Sequence, residues 1–222
     1  MRMTRHNGAF IAAVGLLFLG CAAGGQTVPA AVSTAAQAGL RAFLDRIPAG
    51  QRAEYGFAET DSLDQAELGD PWQLHALTPT ALATCKGTTP VSAVISPTKL
   101  WYFPVLIASQ PKALLVVDHT EAGWEAVSLG YARIAQDLAL VREQWSTAKG
   151  HAPLFVASFQ ARQHFFTVPT VDAFNLTPLL PAEAGAGGTP KGAARYAALD
   201  TLASVAKRLQ PTVESNLRQG AP

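Results

Sequence analysis

Apolar positions recur at helical spacing from Val32 through Ala36, Leu40, Phe43, Leu44 and Ile47. One stripe on that period is an amphipathic helix, and Pro48 with Gly50 supplies its stop. Ser62-Leu63-Asp64-Gln65 has capping-box form and predicts a short helix, ended by Gly69 and Asp70-Pro71. From Trp72 to Thr78 the period drops to two, so this stretch reads as a strand. Thr, Ser, Pro and Gly dominate residues 78–97, which read as a turn, a helical turn at 81–83 and a loop that carries Cys85.

The strongest pattern covers residues 100–168. Residues 100–108 form a strand, Ser109-Gln110-Pro111-Lys112 a four-residue hairpin loop, and residues 113–118 a return strand, apolar up to Val117, that belongs in the middle of a sheet. A turn at 121–123 leads into a third strand at 124–129, completing an antiparallel meander. A helix follows Gly130: Tyr131, Ile134, Leu138, Val141 and Trp145 define one stripe, and Arg133 and Asp137 pair weakly on its flank. Residues 154–168 read as one long strand. Its parity is inconsistent: Phe155, Ala157, Phe159 and Ala161 share a face, whereas Phe166 and Val168 fall on the other. Either a bulge near residues 162–164 restores the register, or both faces are covered. Residues 182–192 are a low-complexity linker. A last helix is expected over residues 193–210, stopped by Pro211.

Together these elements predict an α+β fold, an antiparallel sheet of four to five strands packed on one main helix, with an N-terminal helix over an end or edge and a C-terminal helix. The implied organisation is a domain over residues 32–181, the linker, and a separate C-terminal helix and tail over 193–222.

The N-terminus changes where this fold is expected to work. Arg2 and Arg5 precede an apolar run over residues 9–19, and small residues follow. That order is a secretory signal peptide, too short for the roughly 17–25 residues of a spanning helix. Residues 17–22, Leu-Phe-Leu-Gly-Cys-Ala, resemble a bacterial lipoprotein signal, although Phe18 and Leu19 stand where that family carries Leu and a small residue. The resemblance implies cleavage after residue 20, lipidation of Cys21, a tether over residues 21–31 and anchoring to the outer membrane. Without acylation the protein would be periplasmic or secreted. A net charge of +1 over 222 residues offers no broad basic surface, which argues against nucleic acid as a partner.

Candidate chemistry is sparse. The order Cys85, His151, Asn175 matches nucleophile, base and orienting residue of papain-like enzymes. Against this, Cys85 precedes Lys-Gly-Thr-Thr-Pro, which cannot open the helix that lowers a thiol pKa. The spacing to the histidine is also about half the roughly 130–150 residues usual there. The histidines and cysteines show no metal-ligand spacing, and no cofactor fingerprint is present, so neither metal nor cofactor is expected. Pro104 removes a backbone donor from the 100–108 strand. This suggests a sheet edge, or a bulge at that point; an edge would let a peptide add a strand, with Tyr102, Val105 and Ile107 as its contact residues.

Residues 100–130 resemble a pattern in exported bacterial proteins: a Trp-x-x-Pro strand, a tight hairpin, an apolar strand and a Gly-Trp strand before a helix. Strand–hairpin–strand modules of this kind are similar to PepSY and cystatin-like folds, which act as protease propeptides or inhibitors. The cystatin Gln-x-Val-x-Gly motif is absent. The expectation is a non-enzymatic envelope protein that binds a protein or peptide partner, with a Cys–His hydrolase as the alternative.

Overall fold

The computed structural model describes residues 27–179 and 195–219. The signal segment, Cys21, most of the tether and the 182–192 linker lie outside the described residues. In chain order the elements are α1 (Ala30–Leu44), β1 (Glu67–Leu68), β2 (Trp72–Leu77), α2 (Pro79–Thr84), β3 (Ile95–Ile107), β4 (Gln110–Thr120) and β5 (Gly123–Gly130). They continue with α3 (Ala132–Gln144), β6 (Leu154–Ser158), β7 (Gln163–Thr167), β8 (Thr177–Pro178) and α4 (Leu202–Arg218).

The class is α+β, as the alternation of periods implies. Among the described residues the sheet has eight strands in the order β5-β4-β3-β2-β6-β7-β8, with β1 also beside β3. Among these described strands only β2 and β6 run parallel. The sheet is wider than four or five strands partly because residues 154–168 are two strands. The chain reverses over residues 159–162, and β6 pairs with β7 so that Phe155 stands opposite Phe166. Arg162 closes this turn with φ 51° and donates its backbone N–H to the Phe159 carbonyl at 3.3 Å. The reversal removes the parity conflict without a bulge: Phe155, Ala157, Phe166 and Val168 all lie on one face.

Helices cover both faces. On one, Val32, Ala36, Leu40 and Leu44 of α1 meet Trp101, Phe103, Leu115 and Val117. Thus α1 lies on a face of the sheet, not at its end or edge. A Cβ on Gly39 would fall 2.1 Å from that of Ala126, so α1 can sit this close to β5 only without a side chain there. Farther across the same face, Val156 and Phe165 pack under Leu202, Val205 and Leu209 of α4. On the opposite face Leu138 and Val141 of α3 cover Tyr102, Leu114, Val116 and Phe155.

Several local expectations change. The β3–β4 loop is two residues, Ala108 and Ser109, since Ile107 pairs with Gln110. Both have positive φ, 48° and 62°, the signature of a type I′ turn. Ser62 precedes a single 3-10 turn, Leu63–Gln65, without a side-chain cap bond. α4 starts later than expected and runs through Pro211. Its start is set by Thr201, whose hydroxyl accepts from the Ser204 N–H at 3.2 Å. Pro211 is exposed, while buried Val213 and the Asn216 amide, which donates to the Gln160 carbonyl at 3.1 Å, hold the helix beyond it.

Of the two readings of residues 100–108, the edge is corrected, whereas a register irregularity does lie beside Pro104, between Val105 and Leu106 in the pairing with β4. β3 is an interior strand between β4 and β2. Pro104 fits because its neighbour on one side is interrupted: β1 ends at Leu68 and β2 begins at Trp72. The Pro104 carbonyl accepts from Gly69 N–H at 2.7 Å across that break. A residue's N and carbonyl point to the same side of a strand, so the missing donor faces the interruption, not a ladder partner.

Candidate functional site

Val105, Ile107 and Tyr102 are core residues, 0%, 6% and 8% exposed. Val105 and Ile107 lie under α1 and Tyr102 under α3, so none is available for strand addition. An outward Tyr102 would need an open face, and a sheet covered on both faces has none at this position.

The papain-like set is not assembled. Cys85 caps the C-terminal end of α2 and packs against the core beneath α4. That is the negative end of a helix, and burial pushes its thiol pKa up, the reverse of activation. His151 contacts the Trp145 ring edge-on at 5.3 Å. The Asn175 carboxamide is consumed in its own loop: its oxygen accepts from Val168 N–H at 2.8 Å, and its nitrogen donates to the carbonyls of Val168 and Asp172. Among the described residues no hydrogen bond joins Cys85, His151 and Asn175, and no group of three His, Cys, Asp or Glu residues is placed to hold a metal.

The structure draws attention instead to a cleft of about 650 Å³ between α3, the β6–β7 turn, β8 and α4. Ile134, Ala161, Pro178 and Leu179 supply its apolar surface, and Arg133, Arg162 and Arg208 its charge. The α3 stripe explains the inner wall. Leu138 and Val141 turn onto the sheet, which carries Arg133 and Asp137 to the side facing β7. Asp137 is not a solvated flank residue, as its spacing from Arg133 suggests, but 1% exposed. Its carboxylate lies 3.3 Å from Arg133 Nε and 3.2 Å from Arg195 Nη1. Burial pushes its pKa up to about 6, against the pull of Arg133 and a hydrogen bond from Tyr196.

His164 completes the wall, stacked on Phe155 at 5.5 Å. Burial lowers its pKa, which favours the neutral imidazole. A smaller cleft of about 320 Å³ lies beside Trp72. Arg142 lies 4.2 Å over the Trp72 ring and donates to the carbonyls of Asp70 and Pro71, so its guanidinium bridges backbone to core.

Sequence reasoning does not find this cleft. Arg133 and Asp137 are legible as an i,i+4 pair. Arg162 and Arg208 carry no motif, and only the fold brings them to one rim. No family model matches the chain, no curated protein matches it, and no solved structure matches it.

Proposed function

We propose that this is a non-enzymatic binding module of the bacterial cell envelope, exported and lipid-anchored through Cys21, which engages a protein or peptide partner through the α3–α4 cleft. The observation that carries the reading is the cleft itself: about 650 Å³, with an apolar surface and three arginines around it. Concave, mostly apolar sites with a few convergent polar groups are the usual form of a binding site. Export and anchoring rest on the basic–apolar–small order of residues 1–22 and on its lipoprotein-signal resemblance. A secreted protease is the partner class implied by the PepSY and cystatin-like resemblance of residues 100–130, with this chain in the propeptide- or inhibitor-like role.

A photo-crosslinking residue at Ile134 or Gln163, in cells producing the full chain, is expected to yield a discrete adduct. The comparison position is Val127 on edge strand β5, which is 45% exposed. Adducts from Val127 alone would move the partner to the sheet edge. Labelling with a fatty-acid analogue tests the anchor: wild type should be marked and Cys21→Ser should not.

A further inference from the structure

Resting on that binding reading, we infer that the cleft takes an acidic peptide segment, with a carboxylate seated among Arg133, Arg162 and Arg208 and an adjacent apolar side chain on Ile134 and Leu179. The charge is concentrated here and not general. The chain carries a net charge of only +1, yet three guanidiniums border one cleft and Arg195 stands behind Asp137. Among the described residues the carboxylate in the wall is that of Asp137, already paired on both sides with Arg133 and Arg195. Arg162 and Arg208 are exposed and make no side-chain ion pair among the described residues. A guanidinium fork matches a carboxylate in two parallel hydrogen bonds, which makes arginine the residue for this anion.

The β6–β7 turn is what brings Arg162 to the cleft. Arg162 holds φ 51° at the end of that turn. A side chain is strained in that conformation, and glycine adopts it freely. The turn geometry alone would favour glycine at position 162, whereas the arginine places a cation at the cleft. Ala108 and Ser109 hold the same kind of conformation in the β3–β4 turn, so the charge and the lining, not the backbone at Arg162, carry the inference. The apolar part of the lining selects what carries the anion. Ile134, Ala161, Pro178 and Leu179 offer nothing to a bare hydrated ion, but they gain from covering an apolar side chain.

The test is isothermal titration of the full chain with the tripeptide acetyl-Ala-Glu-Leu-amide, the acid, against the same peptide with Gln for Glu, its side-chain amide. The acid is expected to bind at least about tenfold more tightly, the scale of one charge-assisted hydrogen bond. Arg162→Gly and Arg208→Ala should each weaken the acid about tenfold and leave the amide unchanged. Arg162→Gly should also keep or raise the thermal midpoint, which separates lost binding from lost folding. Equal affinity for acid and amide would overturn the anion assignment. Binding of octanoate or octyl phosphate without the peptide acid would overturn the peptide in favour of a lipid-like anion. If no probe binds while crosslinks still map to Ile134 and Gln163, the ligand class falls and the binding module stands. If crosslinks map elsewhere too, both fall.

Discussion

Asp137 and His164 share one wall but respond to pH in opposite directions. The folded Asp137 carboxyl titrates near 6, above its ordinary 3.8, because burial disfavours the charge more than Arg133 and the Tyr196 hydroxyl favour it. Between those values the folded state holds a proton that the unfolded state has released. Raising the pH from about 4 to about 6 therefore costs stability through this group, and the cost persists above that window. His75 and His164 are shifted below 6.5 by burial, so their contribution is intact above 6.5 and is lost as the pH falls through the folded values. The two effects oppose each other in the native chain. Asp137→Asn removes the first alone. Urea midpoints measured from pH 4 to 7 should then fall more steeply towards acid than in the wild type, whatever the absolute loss from leaving Arg133 and Arg195 without their carboxylate. Parallel profiles would mean that Asp137 is ionised throughout.

Among the elements, the β3–β4 hairpin combines strong strands with a turn poorly suited to its residues. Type I′ geometry asks for positive φ at both central positions, and Ala108 and Ser109 both have side chains that disfavour it. The strands impose the turn: seven registered pairs join β3 to β4, with Trp101 opposite Val117 and Phe103 opposite Leu115 in the core. The double substitution Ala108→Asn with Ser109→Gly supplies the Asn-Gly pair that this turn prefers. It should raise stability by roughly 1 kcal/mol, since a left-handed conformation costs an ordinary residue about 1–2 kcal/mol. The urea midpoint checks it, and an unchanged or lower midpoint would rule out strain at this turn. The β6–β7 turn poses the same problem with another outcome. There the strained residue is Arg162, and relieving it is expected to cost binding.

For the molecule as a unit, the question is whether α4 unfolds together with the sheet. Its apolar face, Leu202, Val205, Leu209 and Val213, shares a core with Leu77, Val156, Phe165 and Leu176. Its polar groups also reach distant backbone: Gln210 donates to the Leu82 carbonyl and Asn216 to that of Gln160. The low-complexity linker suggests a detachable helix, whereas this packing argues for one cooperative unit. Leu209→Ala should cost about 2–5 kcal/mol, the same range as Leu138→Ala on the other face. Both should shift a single transition followed by tryptophan fluorescence. All four tryptophans, at 72, 101, 124 and 145, lie outside α4, so the signal reports on the rest of the fold. If Leu209→Ala leaves that midpoint in place, α4 unfolds independently.

Elements with short-range signals can be read from the chain alone. The α1 stripe, the β3–β5 meander and the α3 stripe follow from residue period and turn chemistry, because a side chain's face within one element depends only on its neighbours in sequence. The same logic marks Trp101 and Phe103 as core, since two large aromatics two residues apart on a strand share a face. Long-range packing was needed to settle where residues 154–168 fold back, because a strand and a hairpin present the same alternation until the partner face is known. It makes β3 interior, because Pro104 marks an edge only where a neighbour would need its donor, and β1 and β2 leave a break there. It buries Asp137, because the same i,i+4 spacing serves a solvated pair and an inner wall alike, and Arg195 comes from a distant part of the chain. The cleft belongs to this second class: Arg133, Arg162 and Arg208 lie on three elements far apart in sequence, and only the packing of α3 and α4 around the end of the sheet brings their charges together.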